Sequence, residues 1–341
     1  MALTPHEFSA ERPADIAVVI PAFNSSAYLG QALASVAGQR VMPGSVIVAD
    51  DGSSDDTVEI ARRWQSRLPL EIIRQRSNHG PAAARHGAIQ AAREPLLAML
   101  DADDLVLPDH LETMLAAHRA CPGLVSAREM RWVPGAGLEP PGRPRGVTGR
   151  PSSQLNALLR RNFVNFGFFS RELYEAVGGF RDYHSEDWDL WIRMVRAGAR
   201  LTVTSHPTAI HRVRPDSRSA DPAVTAQGGI AVLTAALRAA RSPGEAAAAR
   251  AGLRALRGKL SFYRAADMAS RRHGSQARRV ALAGLPAGGA RDAVGLLAFA
   301  LAPVTSARLE HLTRSRKWRT GARQRDADVV PGAVEAHERR S

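Results

Sequence analysis

Apolar and polar positions alternate in short blocks over the first hundred residues. Asp15–Ile20 is an apolar run closed by Pro21, the pattern of a strand buried on both faces. Ser25–Gly38 then sets Leu29, Leu33 and Val36 at helical spacing. Val46–Ala49 repeats the buried-strand pattern, and Asp55–Leu68 reads as a helix opened by the capping residues Ser53 and Ser54. Leu70–Arg74, Pro81–Ala92 and Leu96–Leu100 continue as strand, helix and strand. This alternation predicts an α/β fold, a doubly wound and mostly parallel sheet with flanking helices. Such sheets bind ligands at the carboxyl ends of their strands. Those ends read Pro21-Ala22-Phe23-Asn24, Asp50-Asp51-Gly52-Ser53 and Asp101-Ala102-Asp103-Asp104.

Farther along, Val133–Pro151 is rich in Pro, Gly and Arg and reads as a loop between two halves of one domain. Phe163–Phe169 reads as a strand, and Ser185–Ala197 as a helix with Trp188, Trp191, Ile192 and Val195 on its apolar side. Arg212–Pro222 is polar and reads as a mobile loop. From Ala223 the chain is Ala/Arg-rich with helical spacing. Two regions are therefore expected: a domain at 14–221 and a basic C-terminal helical extension at 222–341, with roughly the last 20 residues disordered.

Charge sharpens that division. The 341 residues carry a net charge of +13, yet residues 1–221 hold 25 basic and 25 acidic side chains. The whole excess lies in the last third. Forty-four of the 46 basic residues are arginine, and the single Cys121 excludes an intramolecular disulfide or a cysteine zinc site. The polar start carries no secretory pattern, and the longest apolar stretch, Ala293–Val304, is shorter than the ~20 residues that span a bilayer. A cytoplasmic protein is expected, with any membrane contact peripheral at the inner face.

The candidate chemistry sits at the strand ends. Asp101, Asp103 and Asp104 supply the oxygen ligands that Mg²⁺ or Mn²⁺ requires, with positions left for substrate phosphates. The plainer alternative is a solvated turn in which Asp104 caps the next helix. At Asp50-Asp51-Gly52, glycine permits a tight turn and a carboxylate can accept from a base N–H. Glu186, Asp187 and Asp189 open a helix, where the macrodipole favours anions whether or not they do chemistry. Trp188 and Trp191 fit either the core or a sugar platform, with core the commoner outcome for Trp191.

Taken together, V-I-P-A-F-N (Val19–Asn24), D-D-G-S-S-D-D-T (Asp50–Thr57), N-H-G-P-A-A-A-R (Asn78–Arg85), L-D-A-D-D (Leu100–Asp104) and S-E-D-W-D-L-W-I-R (Ser185–Arg193) resemble a family 2 glycosyltransferase of GT-A fold. The resemblance covers roughly residues 14–215 and implies a non-processive, inverting enzyme that uses a UDP- or dTDP-linked sugar and a divalent metal. It implies that Pro21, Ala22 and Phe23 line the base pocket, that Asp51 binds the base beside Asp50, and that Arg85 lies near the nucleotide. That arginine is often followed by Asn in the family, where this chain has His86. Asp101, with Ala102, would contact ribose or sugar, and Asp103 would ligate the metal. Asp187 would be the general base, with Glu186 assisting acceptor binding or orientation and Trp188 beside the acceptor. His211-Arg212-Val213-Arg214 resembles a family segment whose histidine, a metal ligand in some members, is replaced here by Arg214. Arginine cannot ligate such metals but can neutralise diphosphate, so Arg212 and Arg214 are expected on the donor and His211 as a substitute ligand. Expected partners are a nucleoside diphosphate sugar, a glycan or lipid-linked acceptor, and an anionic membrane.

Two other classes fit the sequence less well. A nucleotidyltransferase would need a Gly-rich or basic phosphate loop after the first strand, where Phe23-Asn24-Ser25-Ser26 has neither. A polyanion-binding protein would rest on Arg314-Ser315-Arg316-Lys317-Trp318-Arg319, whose cations flank an aromatic. No nucleic-acid-binding signature is recognisable.

Overall fold

The computed structural model describes residues 13–140, 149–270 and 279–280. The Arg314–Arg319 cluster, the Ala293–Val304 stretch and the last twenty residues lie outside them. The N-terminal elements run β1 (Ile16–Ala22), α1 (Leu29–Ala37), β2 (Ser45–Asp50), α2 (Thr57–Trp64), β3 (Leu70–Arg74), α3 (Pro81–Ala91) and β4 (Leu96–Met99). Every residue of β1 except Pro21 is buried, and β4 is buried throughout. At about 1.5–3 kcal/mol for each fully buried aliphatic side chain, these strands hold the middle of the sheet.

The chain continues as β5 (Leu105–Val106), α4 (His110–Ala120), β6 (Gly123–Val133), β7 (Gly137–Glu139), α5 (Pro151–Leu158), β8 (Phe168–Ser170), α6 (Arg171–Ala176), α7 (Glu186–Arg196), β9 (Arg200–Arg212), α8 (Pro222–Arg238) and α9 (Pro243–Ser270). The strands form one sheet in the order β3-β2-β1-β4-β8-β6-β9-β5, with β7 paired to β6. β1 pairs in parallel with β2 and β4, and β2 with β3. β8 enters antiparallel beside β4, and β6 and β9 then run parallel to each other. The parallel half expected from the sequence is thus joined to a mixed half.

Several local expectations change. The strand expected at Phe163–Phe169 shrinks to Phe168–Ser170, because Phe166 takes a left-handed backbone (φ 49°) that interrupts an extended run. Ser53 and Ser54 do not cap α2; its first turn is held by Asp55, whose Oδ1 accepts from Thr57 N at 3.1 Å. Asp104 does not cap α4, which begins after Asp109 without a side-chain cap.

α8 and α9 pack into the same core as α7 and α5. Trp188 of α7 lies against Gly229 of α8, and Gly252 of α9 abuts the Leu159 carbonyl. Arg196 of α7 forms a buried ion pair with Glu245 of α9. The boundary expected at 221/222 therefore falls between elements that share one core. Among the described residues, no helix is long and apolar enough to cross a membrane.

Candidate active site

Three strand-end loops meet above β1, β2 and β4. The first is stitched to the second by hydrogen bonds: Asn24 N donates to Ser53 Oγ (2.9 Å), Ser25 N to Thr57 Oγ1 (2.7 Å) and Ser26 N to Asp55 Oδ2 (3.0 Å). Asn24 itself is left-handed (φ 46°), which turns the chain sharply after β1. Phe23 is left 46% exposed on this rim, while Pro21 and Ala22 remain in the ladder, opposite Ala49 and Asp50. Gly52 is required at its position. Its φ is +77°, and a Cβ there would meet the Ser77 backbone at 2.9 Å.

Asp50 and Asp51 are both buried. Asp50 accepts from Ser53 N and lies 3.4 Å from Arg74 Nε. Asp51 receives the backbone N–H of His79 on Oδ1 (2.8 Å) and that of Gly80 on Oδ2 (2.7 Å). Its carboxylate therefore holds the loop that opens α3, with one N–H already on each oxygen.

Arg85 of α3 is the hub of the next layer. It donates to Asp101 Oδ1 (2.5 Å) and to Glu186 Oε1, and its guanidinium sits 5.8 Å from the Phe180 ring centroid. Glu186 also accepts from Arg218 Nη1 (3.1 Å). Both of its oxygens are taken by arginine, and it is 4% exposed. In place of the expected acceptor contact, Glu186 links Arg85 to the 213–221 segment. Burial would raise the Asp101 carboxyl, but Arg85 holds it below the ordinary range.

Asp101 O accepts from Asp104 N (3.1 Å), a tight turn that splays the three carboxylates. Ala102 is buried inside that turn. Asp103 Oδ2 lies 3.4 Å from Arg214 Nε. Asp104 is buried and accepts from Arg212 N (2.8 Å) and from His211 Nδ1 (3.2 Å). Arg212 is committed: Nε donates to Asp103 O (2.9 Å), Nη2 to Gln31 Oε1 (2.6 Å), and the guanidinium sits between Trp132 (4.5 Å) and Tyr28 (5.1 Å). It braces the turn rather than facing the cleft. Arg214 lies over Tyr28 at 4.6 Å, with its Nε between Asp103 (3.4 Å) and Asp216 (3.3 Å).

Asp187 lies across the cleft. Its Oδ2 accepts from Asn162 Nδ2 (3.1 Å) and its Oδ1 from Trp188 N (2.7 Å). Burial, reinforced by the Glu186 charge, pushes its carboxyl up to about 6 despite Arg85 and these hydrogen bonds. Asp187, Asp101, Asp104, Arg85 and His211 line one cleft that opens to solvent. Nothing in the sequence singles out Asn162. A lone Asn in Arg161-Asn162-Phe163 carries no pattern, and only the fold brings it to Asp187.

The tryptophans are a correction. Trp188, expected beside the acceptor, is 5% exposed and donates Nε1–H to Leu158 O (2.9 Å) within the core. Helix geometry turns it away from Asp187 and toward α8. Trp191, one turn after Asp187, is also buried, yet it lines the cleft.

The donor set suits a hard divalent cation in part. Asp103 is raised by burial and by the charge of Asp101, the crowding a cation relieves. Among the described residues no three His, Cys, Asp or Glu side chains converge on one point. His211 faces the same turn: burial would lower its imidazole, but the Asp104 hydrogen bond and charge raise it to about 9.

Comparison with known proteins agrees with this architecture. Residues 17–131 match the model of glycosyl transferase family 2. Over 106 residues, 30% of the chain, it is 38% identical to a validoxylamine A glucosyltransferase of Streptomyces hygroscopicus subsp. limoneus. Over 109 residues, 32% of the chain, it is 37% identical to the succinoglycan biosynthesis protein ExoU of Rhizobium meliloti. The aligned stretches span 23% and 32% of those two relatives' own lengths. The fold resembles a mannosyltransferase of Pyrobaculum calidifontis in complex with GDP-Man and Mn²⁺ (TM-score 0.60, 22% identity, 90% of this chain and 83% of that one). It also resembles S. aureus TarS 1-349 in complex with UDP-GlcNAc (TM-score 0.57, 17% identity, 88% and 91%). Residues 17–131 therefore resemble the family 2 glycosyltransferases, and the fold is the GT-A type of these solved glycosyltransferases.

Proposed function

We propose that this chain moves a glycosyl group from a nucleoside diphosphate sugar to an acceptor hydroxyl with inversion at the anomeric carbon. The observation that carries the reading is the placement of Asp187 in one cleft with Arg85 and Asp101. Asp187 takes the acceptor proton as the acceptor oxygen bonds to the anomeric carbon and the C–O bond to diphosphate breaks. With a carboxyl near 6 it is ionised at pH 7, yet basic enough to draw the proton. Arg85 orients Asp101 toward the ribose or sugar, and Arg214 offsets charge growing on the departing diphosphate. Phe23 offers its exposed ring to the base, a UDP or dTDP donor being the reading carried from the sequence. Asp51 acts through the loop it holds as well as through any remaining lone pair.

Asp103, beside Asp101, would hold a divalent metal, which supplies Lewis-acid stabilisation of the diphosphate when bound. His211 then serves to fix the Asp104 turn. Asp103→Ala should abolish the Mn²⁺ dependence of nucleotide-sugar binding, read by calorimetry with and without Mn²⁺. Equal Mn²⁺ dependence in the variant would remove Asp103 from the role.

For the acceptor, we place the enzyme at an anionic bilayer carrying lipid-linked or envelope glycans. Arg250, Arg254, Arg257 and Arg264 are all exposed on α9. At 100° per residue they fall within a face roughly 80° wide and about 21 Å long. Between Glu245 and Asp267 that helix carries no acidic residue.

A further inference from the structure

Two arginines reach the Asp101–Asp104 turn from the end of β9, and they are held in different ways. Arg212 donates to the Asp103 carbonyl at 2.9 Å and to Gln31 at 2.6 Å. The Arg214 Nε lies 3.4 Å from Asp103 Oδ2 and 3.3 Å from Asp216 Oδ1, and it makes no hydrogen bond. Those separations exceed the roughly 2.7–3.2 Å of a direct N–H···O bond. Charge and the Tyr28 face, not hydrogen bonds, therefore keep this guanidinium beside Asp103. Asp101 crowds Asp103 with like charge, and Arg214 offsets it. The pair is partly buried, with side chains 17% and 25% exposed, so water and salt screen it less than an open surface pair. The backbone fixes Arg214 at this turn, because the preceding Val213 N donates to Trp132 O (2.9 Å). Asp216, itself exposed, offers the guanidinium a second carboxylate.

Asp103 is also the carboxylate assigned above to a divalent metal. A guanidinium and a metal ion seek the same oxygens, and two cations on one carboxylate repel each other. Arg214 must therefore leave before Asp103 can take a metal, and leaving breaks the Asp103 ion pair. A diphosphate offsets that loss, since its oxygens accept the guanidinium fork. We propose that Arg214 is a displaceable counter-ion at Asp103, exchanged for the metal and passed to the donor diphosphate, so that metal and donor bind cooperatively. Each then raises the other's affinity by the same factor. Arg212, fixed by its hydrogen bonds, stays with the turn. The coupling rests on the reading of Asp103 as a metal ligand.

Mn²⁺ titration of the full chain, followed by the EPR signal of free Mn²⁺, tests it without turnover. In the absence of nucleotide, Arg214→Gln should bind Mn²⁺ about 5- to 20-fold more tightly than wild type. Arg214→Lys keeps the charge and should bind Mn²⁺ like wild type. Saturating UDP, or GDP where that binds better, should tighten Mn²⁺ binding more in wild type than in Arg214→Gln. The affinity of Mn²⁺ for free nucleotide is common to both proteins and cancels in that comparison. Equal Mn²⁺ affinity of wild type and Arg214→Gln without nucleotide overturns the proposal alone. A wild type that binds no Mn²⁺, with or without nucleotide, overturns the metal reading of Asp103 and the proposal with it. Should Arg214→Gln fail to fold, a wild-type Mn²⁺ affinity that does not rise with nucleotide overturns the proposal.

Discussion

Asp187→Asn should make the protein more stable at neutral pH while destroying its chemistry. The Asp187 carboxyl is raised from 3.8 to about 6, first by burial and then by the Glu186 charge. In the pH range between those values the folded state holds a proton that the unfolded chain has released. Stability therefore falls as pH rises through that range and stays lowered above it. The full shift of about 2 units would correspond to about 3 kcal/mol. Asp187 is only partly buried, so solvent screening reduces this to about 1–2 kcal/mol. Asparagine carries no charge and keeps an oxygen for the Trp188 N–H. The expected gain at pH 8 is about 2–6 °C in Tm, shrinking toward zero near pH 4. Thermal melts of both proteins from pH 4 to pH 8 measure it. A variant that is less stable at pH 8, or a difference that does not change with pH, refutes the reasoning.

Asn162→Ala removes a hydrogen bond that favours the charged form of Asp187, so the acidic limb of kcat against pH should move up by about half a unit to one unit. An unmoved limb with lower kcat would leave Asn162 a structural role only. Replacing Arg250, Arg254 and Arg257 by Glu should abolish flotation with anionic liposomes at low salt and leave turnover on a soluble acceptor unchanged. Equal flotation of both proteins would dismiss α9 as the contact surface.

What the sequence disclosed and what it withheld divide by range. β1 through β4 were legible because each is a short local run, wholly or largely apolar, punctuated by Pro, Gly or a capping cluster. The carboxylates at their ends inherited that legibility. β6 and β9 were not, since their charged residues and Pro207 obscure any period and only pairing with each other defines them. The site divides in the same way. Asp101, Asp103 and Asp187 stand out as motif residues. The ion pairs Arg85–Glu186 and Arg218–Glu186 and the Asn162–Asp187 contact link positions 101, 32 and 25 residues apart. No local pattern announces them. Trp188 and Trp191 illustrate the limit: helical spacing places both near the site, but only the packing of Gly229 and Gly167 against them decides how each ring sits.

The central claim is that Asp187 acts as the base of an inverting transfer in this cleft. NMR of the product formed from a donor of defined anomeric configuration, run beside donor-binding calorimetry on Asp187→Asn, tests it most directly. The account predicts a product of opposite anomeric configuration, and a variant that binds donor like wild type yet forms no product. A product of retained configuration, or turnover by Asp187→Asn near the wild-type rate, would contradict it.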